Sequence, residues 1–280
     1  MKHLISAVAA AAALTLAAGA AQAGAVYITG HDPDFHSQLQ QSGRNQLNVA
    51  LNFVTGGTYN DGSTKFLWVE SFNPATSGHL VGFDGLAAIG VGAGNVDRVD
   101  AAALAGVNFA DYSAIVVASS FGGMLTFNEI DALIARSGDI ASFVNGGGGI
   151  AAFAECGTTF GSCDASNVQA GTNLFGFLPI GVTAVNTVAP YTVTAFGASL
   201  GLTNADVDDC CTHNSFGAPN GLTVVDFDQN GVPTTLAGNV RITDNGFGVP
   251  EPQTWALMIL GFGGVGMLLR SRRRAIACAG

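Results

Sequence analysis

The sequence predicts an α/β fold with a mainly parallel sheet and a strand- and loop-rich C-terminal half. Residues 114–118 and 150–154 are continuous apolar runs, the pattern of strands buried on both faces. Between them, Thr126 and Glu129 have the spacing of a helix capping box, and the glycines at 146–149 end the helix. A strand, a helix and a second strand in this order form a βαβ unit, which builds a parallel sheet.

The other elements follow from shorter patterns. Residues 25–29 predict the first strand, residues 38–53 a helix and residues 66–69 a second strand. The Gly-rich stretch 73–95 predicts a loop with a short strand near residues 86–91. Further along the chain, Asn, Gly and Pro separate short β-prone runs that we expect to extend the sheet: residues 182–188, 191–195, 222–227 and 234–242.

The composition excludes several classes of protein. Of the 280 residues, 48% are hydrophobic and 11% are charged, so an intrinsically disordered chain is excluded. Residues 24–249 carry five basic and 19 acidic side chains, a net charge of −14. A body this acidic repels nucleic acids and anionic lipid headgroups. We therefore expect no nucleic-acid partner, and any membrane contact has to come from another part of the chain.

The N-terminal segment has the three parts of a secretory signal peptide. Lys2 and His3 precede an apolar run over residues 4–16, and Ala21-Gln22-Ala23 matches an A-x-A cleavage site. Residues 1–23 are therefore predicted to engage the Sec translocon and to be removed by signal peptidase. Residues 24–249 then remain as a single exported domain, which is long enough for one sizeable core.

The C-terminal segment is predicted to be a membrane anchor. The apolar stretch 254–269 would form a helix of about 24 Å, which is short of a bilayer core of roughly 30 Å. It can span a thinned bilayer with Trp255 at one interface and Arg272, Arg273 and Arg274 in the cytoplasm. This orientation agrees with a signal peptide that exports the body of the chain.

The same segment resembles a known sorting signal. Pro250, Glu251 and Pro252, followed by Trp255-Ala256, an apolar helix and an arginine cluster, are similar to the PEP-CTERM signal of Gram-negative bacteria, in its PEPxxWA variety. This resemblance of residues 250–280 implies a transient inner-membrane anchor, recognition by an exosortase and cleavage near the Pro-Glu-Pro. It further implies delivery to the periplasm, outer surface or extracellular matrix of biofilm-forming bacteria, with exopolysaccharide as a candidate partner.

Four cysteines lie in the exported domain, and Cys278 lies in the tail. Because exported domains fold in an oxidising compartment, we expect disulfides among Cys156, Cys163, Cys210 and Cys211. One or two bridges are expected to join the first two cysteines to the adjacent pair, and the pairing stays open. Each bridge would close a loop of about 50 residues and stabilise the fold by about 3–4 kcal/mol.

Polar side chains follow two of the predicted parallel strands. His31, Asp32, Asp34 and His36 follow the first strand, and Glu155 follows the strand at 150–154. Ligands of open parallel sheets bind at the carboxyl ends of strands, and imidazoles and carboxylates are ligands of zinc and other divalent ions. These five residues are therefore candidate binding residues. The alternative is a polar turn in which a carboxylate caps the following helix.

The segment around Cys156 resembles the class I glutamine amidotransferase-like superfamily, in which a buried strand leads to a nucleophilic Cys followed by Gly. Together with Thr29-Gly30-His31, this resemblance implies a flavodoxin-like or amidotransferase-like topology, with Cys156 and His213 as candidate catalytic residues. Ala154 stands where the superfamily has Gly, and His213 lacks the following Glu, so no acid is matched. In an oxidising compartment we expect Cys156 to be half of a disulfide.

One acidic motif resembles a calcium loop. Asp226, Asp228 and Asn230, followed by Gly231, match the first half of an EF-hand, but the twelfth position is Ala237 instead of Glu. An EF-hand is therefore excluded. A looser calcium site and a solvated turn remain the alternatives.

The sequence as a whole predicts an exported, exosortase-processed surface or extracellular-matrix protein. We expect its mature domain to be a non-catalytic binding or structural module, with calcium and zinc as the only candidate cofactors. The alternative is a metal-dependent hydrolase at the same rim. In that case His36 or Glu155 would be the general base, and His31, Asp32 or Asp34 would hold the metal.

Overall fold

The structure is a computed structural model that describes residues 23–75, 78–120, 122–154, 175–208 and 212–242. The chain divides into two compact units, residues 1–242 and 243–280, and all described residues lie in the first. The predicted signal peptide up to Gln22, the four cysteines of the exported domain and the sorting segment fall outside the described residues.

The described residues contain ten strands and eight α-helices. The strands are β1 (Gly24–Thr29), β2 (Phe66–Val69), β3 (Val96–Val99), β4 (Ala114–Val117), β5 (Gly149–Ala152), β6 (Ala184–Val185), β7 (Thr192–Val193), β8 (Ser215–Phe216), β9 (Thr223–Phe227) and β10 (Pro233–Val240). The helices are α1 (Pro33–His36), α2 (Gln41–Thr55), α3 (Gly85–Ala88), α4 (Ala101–Leu104), α5 (Phe127–Ala135), α6 (Ser137–Asn145), α7 (Ala195–Ser199) and α8 (Asn204–Val207).

Eight strands form one mixed sheet in the order β3-β2-β4-β5-β1-β10-β9-β7. The five strands from β3 to β1 are parallel, whereas β10, β9 and β7 are antiparallel additions. The prediction of an α/β fold with a mainly parallel sheet is thus confirmed. The order differs from the 2-1-3-4-5 order of flavodoxin, because the first strand takes the outer position in the parallel part.

The predicted βαβ unit is confirmed. Strands β4 and β5 are buried along their whole length. The side chain of Thr126 accepts a hydrogen bond from the backbone of Asn128, and Glu129 accepts one from the backbone of Thr126, so the capping box is formed. The connecting helix is divided at Arg136 into α5 and α6. The Arg136 guanidinium donates to the carbonyl oxygens of Leu104 and Val107, which joins the helix pair to the preceding loop.

One strand prediction is wrong and one strand was missed. Residues 86–91 do not form a strand, since helix α3 begins at Gly85 instead. The missed strand is β3, whose sequence Val-Asp-Arg-Val has two charged residues at its centre. Lys65 pairs with Asp97, and Glu70 pairs with Arg98. The two charged residues make the segment look unlike a strand in the sequence. Their tertiary partners accommodate both charges in the folded protein.

The connections place a crevice at the carboxyl ends of β2 and β4. After β2 the chain continues to β3, toward one edge of the sheet, and after β4 it continues to β5, toward the other edge. Strands β2 and β4 are neighbours, so the direction of the connections reverses between them. Such a reversal is where open α/β sheets bind ligands. Trp68, Phe66 and Phe153 fill the fully buried core beneath it.

Candidate functional site

The end of β1 is held against a distant segment of the chain. Gly30 directly follows β1 and lies close to Asn214. A β-carbon at position 30 would be only 1.6 Å from the Asn214 carbonyl oxygen. The backbone nitrogen of His213 donates to the Gly30 carbonyl oxygen at 2.7 Å. This close approach requires glycine, and it brings His213 to the predicted rim.

Asp32 lies between two histidines. His36 Nε2 is 3.2 Å from Asp32 Oδ1, and His213 Nε2 is 3.3 Å from Asp32 Oδ2. Burial by itself raises the pKa of Asp32, but the two imidazoles outweigh it and hold the pKa below its ordinary value. All three residues are buried. The structure therefore brings together two predicted binding residues and His213, and Asp32 is the anion that links them.

His31 points to different partners. Its Nε2 lies 2.9 Å from Asp226 Oδ2, and its Nδ1 lies 2.8 Å from Thr212 Oγ1. A ring that donates from Nε2 to the carboxylate accepts the threonine hydroxyl proton at Nδ1. The edge of this ring also contacts Tyr191, with ring centroids 5.6 Å apart. The sequence analysis missed Thr212, and nothing in the sequence around it signals this contact.

Asp34 faces the crevice between β2 and β4. Its Oδ2 accepts hydrogen bonds from the backbone nitrogen of Ser119 at 2.9 Å and from its hydroxyl at 3.0 Å. Gly82 and Gly123 lie close to the same oxygen, since a β-carbon on either would be 2.4 or 2.5 Å from it. Burial raises the pKa of Asp34 to about 7, although the backbone hydrogen bond from Ser119 opposes this. Asp34 is therefore a carboxyl group that is half protonated near neutral pH.

The crevice is organised by Glu70, which the sequence analysis also missed. Its carboxylate accepts from the backbone nitrogens of Gly82 at 2.6 Å, Phe83 at 3.0 Å and Met124 at 3.0 Å. Arg98 Nη2 lies 3.3 Å away. Burial raises the pKa of Glu70 above its ordinary value, and Arg98 opposes that shift. A charged residue directly after the apolar run 66–69 was the sequence signal for this role.

The candidate metal ligands do not converge. His31 turns to Asp226, Asp32 to its two histidines, and Asp34 to Ser119. Within the described residues, no three His, Cys, Asp or Glu side chains are arranged to hold a metal ion. Glu155, at the same rim, lies outside the described residues.

The calcium-like motif forms a hairpin turn between β9 and β10. Asp228 Oδ1 accepts from the backbone nitrogens of Asn230 and Val232 at 2.8 and 2.9 Å, and its Oδ2 accepts from Val188 at 3.2 Å. Asp226 points to His31 instead. Oδ1 of Asp228 thus serves the turn, which is the ordinary role of Asp in such positions, whereas Oδ2 binds the distant backbone of Val188.

The remaining predicted site residues of the domain are its cysteines. Cys156, Cys163, Cys210 and Cys211 lie outside the described residues, so the expected disulfides and the thiol nucleophile remain predictions. His213, the suggested partner of Cys156, contacts Asp32.

Replacing His213 by glutamine is expected to lower the free energy of unfolding by about 1–3 kcal/mol at pH 6. A lowered pKa in the folded state contributes stability above the unfolded pKa of about 3.9, and this stability is lost as the pH falls through the folded value. The difference between the variant and the parent should therefore shrink toward pH 3. Urea denaturation across this range measures it. A difference that stays constant with pH would show that Asp32 is not involved.

None of the helices in the described part of the chain is both long and apolar enough to cross a bilayer. The span predicted at residues 254–269 lies outside that part.

Comparison with known proteins identifies a motif in one segment of the chain. Residues 248–274 match the PEP-CTERM protein-sorting motif. No curated protein and no solved structure matches the chain, so the resemblance to the amidotransferase-like superfamily has no support from these comparisons. The motif shows that the chain carries an exosortase-directed sorting signal at its C-terminal end and is an exported protein.

Proposed function

We propose that the mature domain is a non-catalytic binding or structural module of the cell surface or extracellular matrix. The observation that carries this proposal is that the polar side chains at the rim are buried and bound to other groups of the protein. His31, Asp32 and Asp34 are only 3%, 2% and 0% exposed, and their partners are protein groups. Buried charges persist when they are paired and hydrogen-bonded. These residues therefore hold distant segments together, and a ligand or surface component would meet the loops above them.

Delivery follows from the sorting signal. Signal peptidase removes residues 1–23 after export through the Sec translocon, and residues 254–269 hold the chain in the inner membrane. Exosortase then cleaves near Pro250-Glu251-Pro252 and releases the domain. The matched motif supports these steps.

Replacing Trp255 by alanine, or Arg272, Arg273 and Arg274 together by glutamine, is expected to trap the chain in the inner membrane. The first change removes part of the sorting motif, and the second removes the charges that orient the anchor. Cell fractionation and immunoblotting measure the uncleaved form, which should become the major species. Arg241→Gln, a charge change outside the matched motif, is the control. Unchanged surface delivery of both variants would contradict the proposal.

The structural role of the rim has its own test. We expect the processed protein to contain no divalent metal and its melting temperature to be unchanged by a chelator. Elemental analysis and a thermal scan with and without EDTA measure this. Stoichiometric metal, or a melting temperature that falls with EDTA, would contradict the purely structural role of these side chains and favour the metal-dependent hydrolase. That enzyme would require His31, Asp32 and Asp34 to leave their present partners.

A hydrolase without a metal is the second candidate, because Thr212, His31 and Asp226 form a line of hydroxyl, imidazole and carboxylate at 2.8 and 2.9 Å. This is the arrangement of a nucleophile, its base and an orienting acid. A fluorophosphonate probe tests it. Labelling that Thr212→Val abolishes and Thr212→Ser keeps would favour the hydrolase, whereas the surface module predicts no labelling of the parent protein.

A further inference from the structure

A cleft of about 870 Å³ opens at the amino end of the parallel sheet, opposite to the rim. It is lined by the first residues of the folded domain, Ala23 and Ala25, by residues 53–56 at the end of α2, and by residues 146–148 after α6. Among the residues that the structure describes, no Asp, Glu, Lys, Arg or His lines this cleft. Its titratable side chain is Tyr112, whose hydroxyl donates to Asp97 at 3.1 Å.

Two of the described helices, α2 and α6, end at this cleft. Neither α2 nor α6 has a basic residue in its last turn. The C-terminus of a helix carries about half a negative charge on its carbonyl groups, and a nearby cation stabilises it. The cleft is therefore a place where a positive charge is favourable and none of the described lining side chains supplies one.

Gly24 lies directly against the carbonyl group of Val144 in the last turn of α6 and that of Gly148, which follows the helix. A β-carbon on Gly24 would be 2.1 Å from the Gly148 carbonyl oxygen and 2.5 Å from that of Val144. The backbone nitrogen of Gly24 is attached to the same α-carbon, so it lies within roughly 5 Å of both oxygens. In the precursor this nitrogen belongs to the peptide bond with Ala23 and is neutral.

We propose that signal-peptide removal converts Gly24 into a structural cation, whose α-ammonium group lies at the edge of the cleft and caps the C-terminus of α6. Hydrolysis of the Ala23–Gly24 bond adds the hydroxyl of a water molecule to the Ala23 carbonyl carbon and a proton to the Gly24 nitrogen. That nitrogen then takes up a second proton from solvent. The inference rests on the export step of the proposed function, because it requires cleavage after Ala23.

The consequence is a domain that gains stability only after export. The precursor has no charge at this position, so the contribution is absent while the chain is still being translocated. An α-amino group has an ordinary pKa of about 7.7–8.0, and the helix end favours its charged form. The stability is therefore present below this pKa and lost as the pH rises above the folded value. Burial and the hydrogen bond to Asp97 raise the pKa of the Tyr112 phenol above its ordinary value.

The test displaces the ammonium group without changing the domain. The full chain is produced in a host that has signal peptidase but no exosortase, and is purified in detergent. A variant carries two serines inserted between Ala23 and Gly24, which moves the new N-terminus by roughly 7 Å. Mass spectrometry identifies the N-terminal residue of each form. At pH 6.5 we expect the insertion variant to melt about 2–8 °C lower than the parent, and we expect this gap to close by pH 10.

Each other result overturns the inference. Equal melting temperatures at pH 6.5 would show that the charge contributes nothing. A gap of the same size at pH 10 would assign the effect to crowding by the inserted serines. If mass spectrometry shows cleavage at another bond, the inference fails with the predicted cleavage site, whereas the sorting proposal is judged separately by the Trp255 and arginine variants.

Discussion

Replacing Glu70 by alanine is expected to lower the free energy of unfolding by about 3–5 kcal/mol. The change removes the acceptor of three backbone hydrogen bonds and of the Trp68 indole nitrogen at 3.0 Å. It also leaves Arg98 without its carboxylate partner in a largely buried position. Chemical denaturation of the purified protein measures the loss.

The matched control is Lys65→Ala, which removes the ion pair with Asp97. Both partners of that pair are substantially exposed, at 47% and 39%, and exposed pairs contribute about 0–1 kcal/mol. A Glu70 variant that loses no more than this control would show that the crevice does not depend on the buried carboxylate.

Replacing Asp34 by asparagine is expected to stabilise the protein at pH 8 by up to about 4 kcal/mol. Burial raises the pKa of Asp34 to about 7 in the folded state, from an ordinary value of 3.8. Between these values the folded protein binds more protons than the unfolded chain, so the stability of the parent falls as the pH rises. Asparagine carries no charge to desolvate, and its side-chain oxygen can still accept from Ser119.

Denaturation curves from pH 4 to pH 8 measure this difference. The variant and the parent should differ least near pH 4, and the variant should gain relative to the parent up to about pH 7, after which the gap stays level. Asp228→Asn is the control, because Asp228 is a second buried aspartate, whose Oδ1 accepts two backbone hydrogen bonds in a turn. A variant that is less stable than the parent by the same amount at every pH would contradict the assignment of Asp34 as a buried, partly protonated acid.

The sequence predicted the elements whose pattern is local. The apolar runs at residues 114–118 and 150–154 and the capping box at Thr126 gave the βαβ unit correctly, because burial on both faces and helix capping leave a signature within a few neighbouring residues. Strand β3 was missed because its two charged residues are matched by partners on other elements. Its pattern by itself resembles a polar loop.

The location of the rim was predictable in the same way. The carboxyl ends of parallel strands meet at one edge of a sheet, so His31 and Asp34 were expected there. Their partners were not predictable. Asp226 is 195 residues from His31 in the chain, and the two meet only because β10 and β9 continue the sheet on the far side of β1. Glu70 and Ser119 lie at the ends of other strands and are brought to Asp34 by the crossover order.

The sequence by itself determined that this chain is exported and sorted, and that its domain is built around a parallel sheet, since short contiguous motifs carry both kinds of information. Only the tertiary structure decided that the histidines and carboxylates turn inward and pair. The physical reason is that a buried charge requires an opposite charge or a hydrogen-bond donor close to it. In this protein those partners come from segments that are remote in the chain.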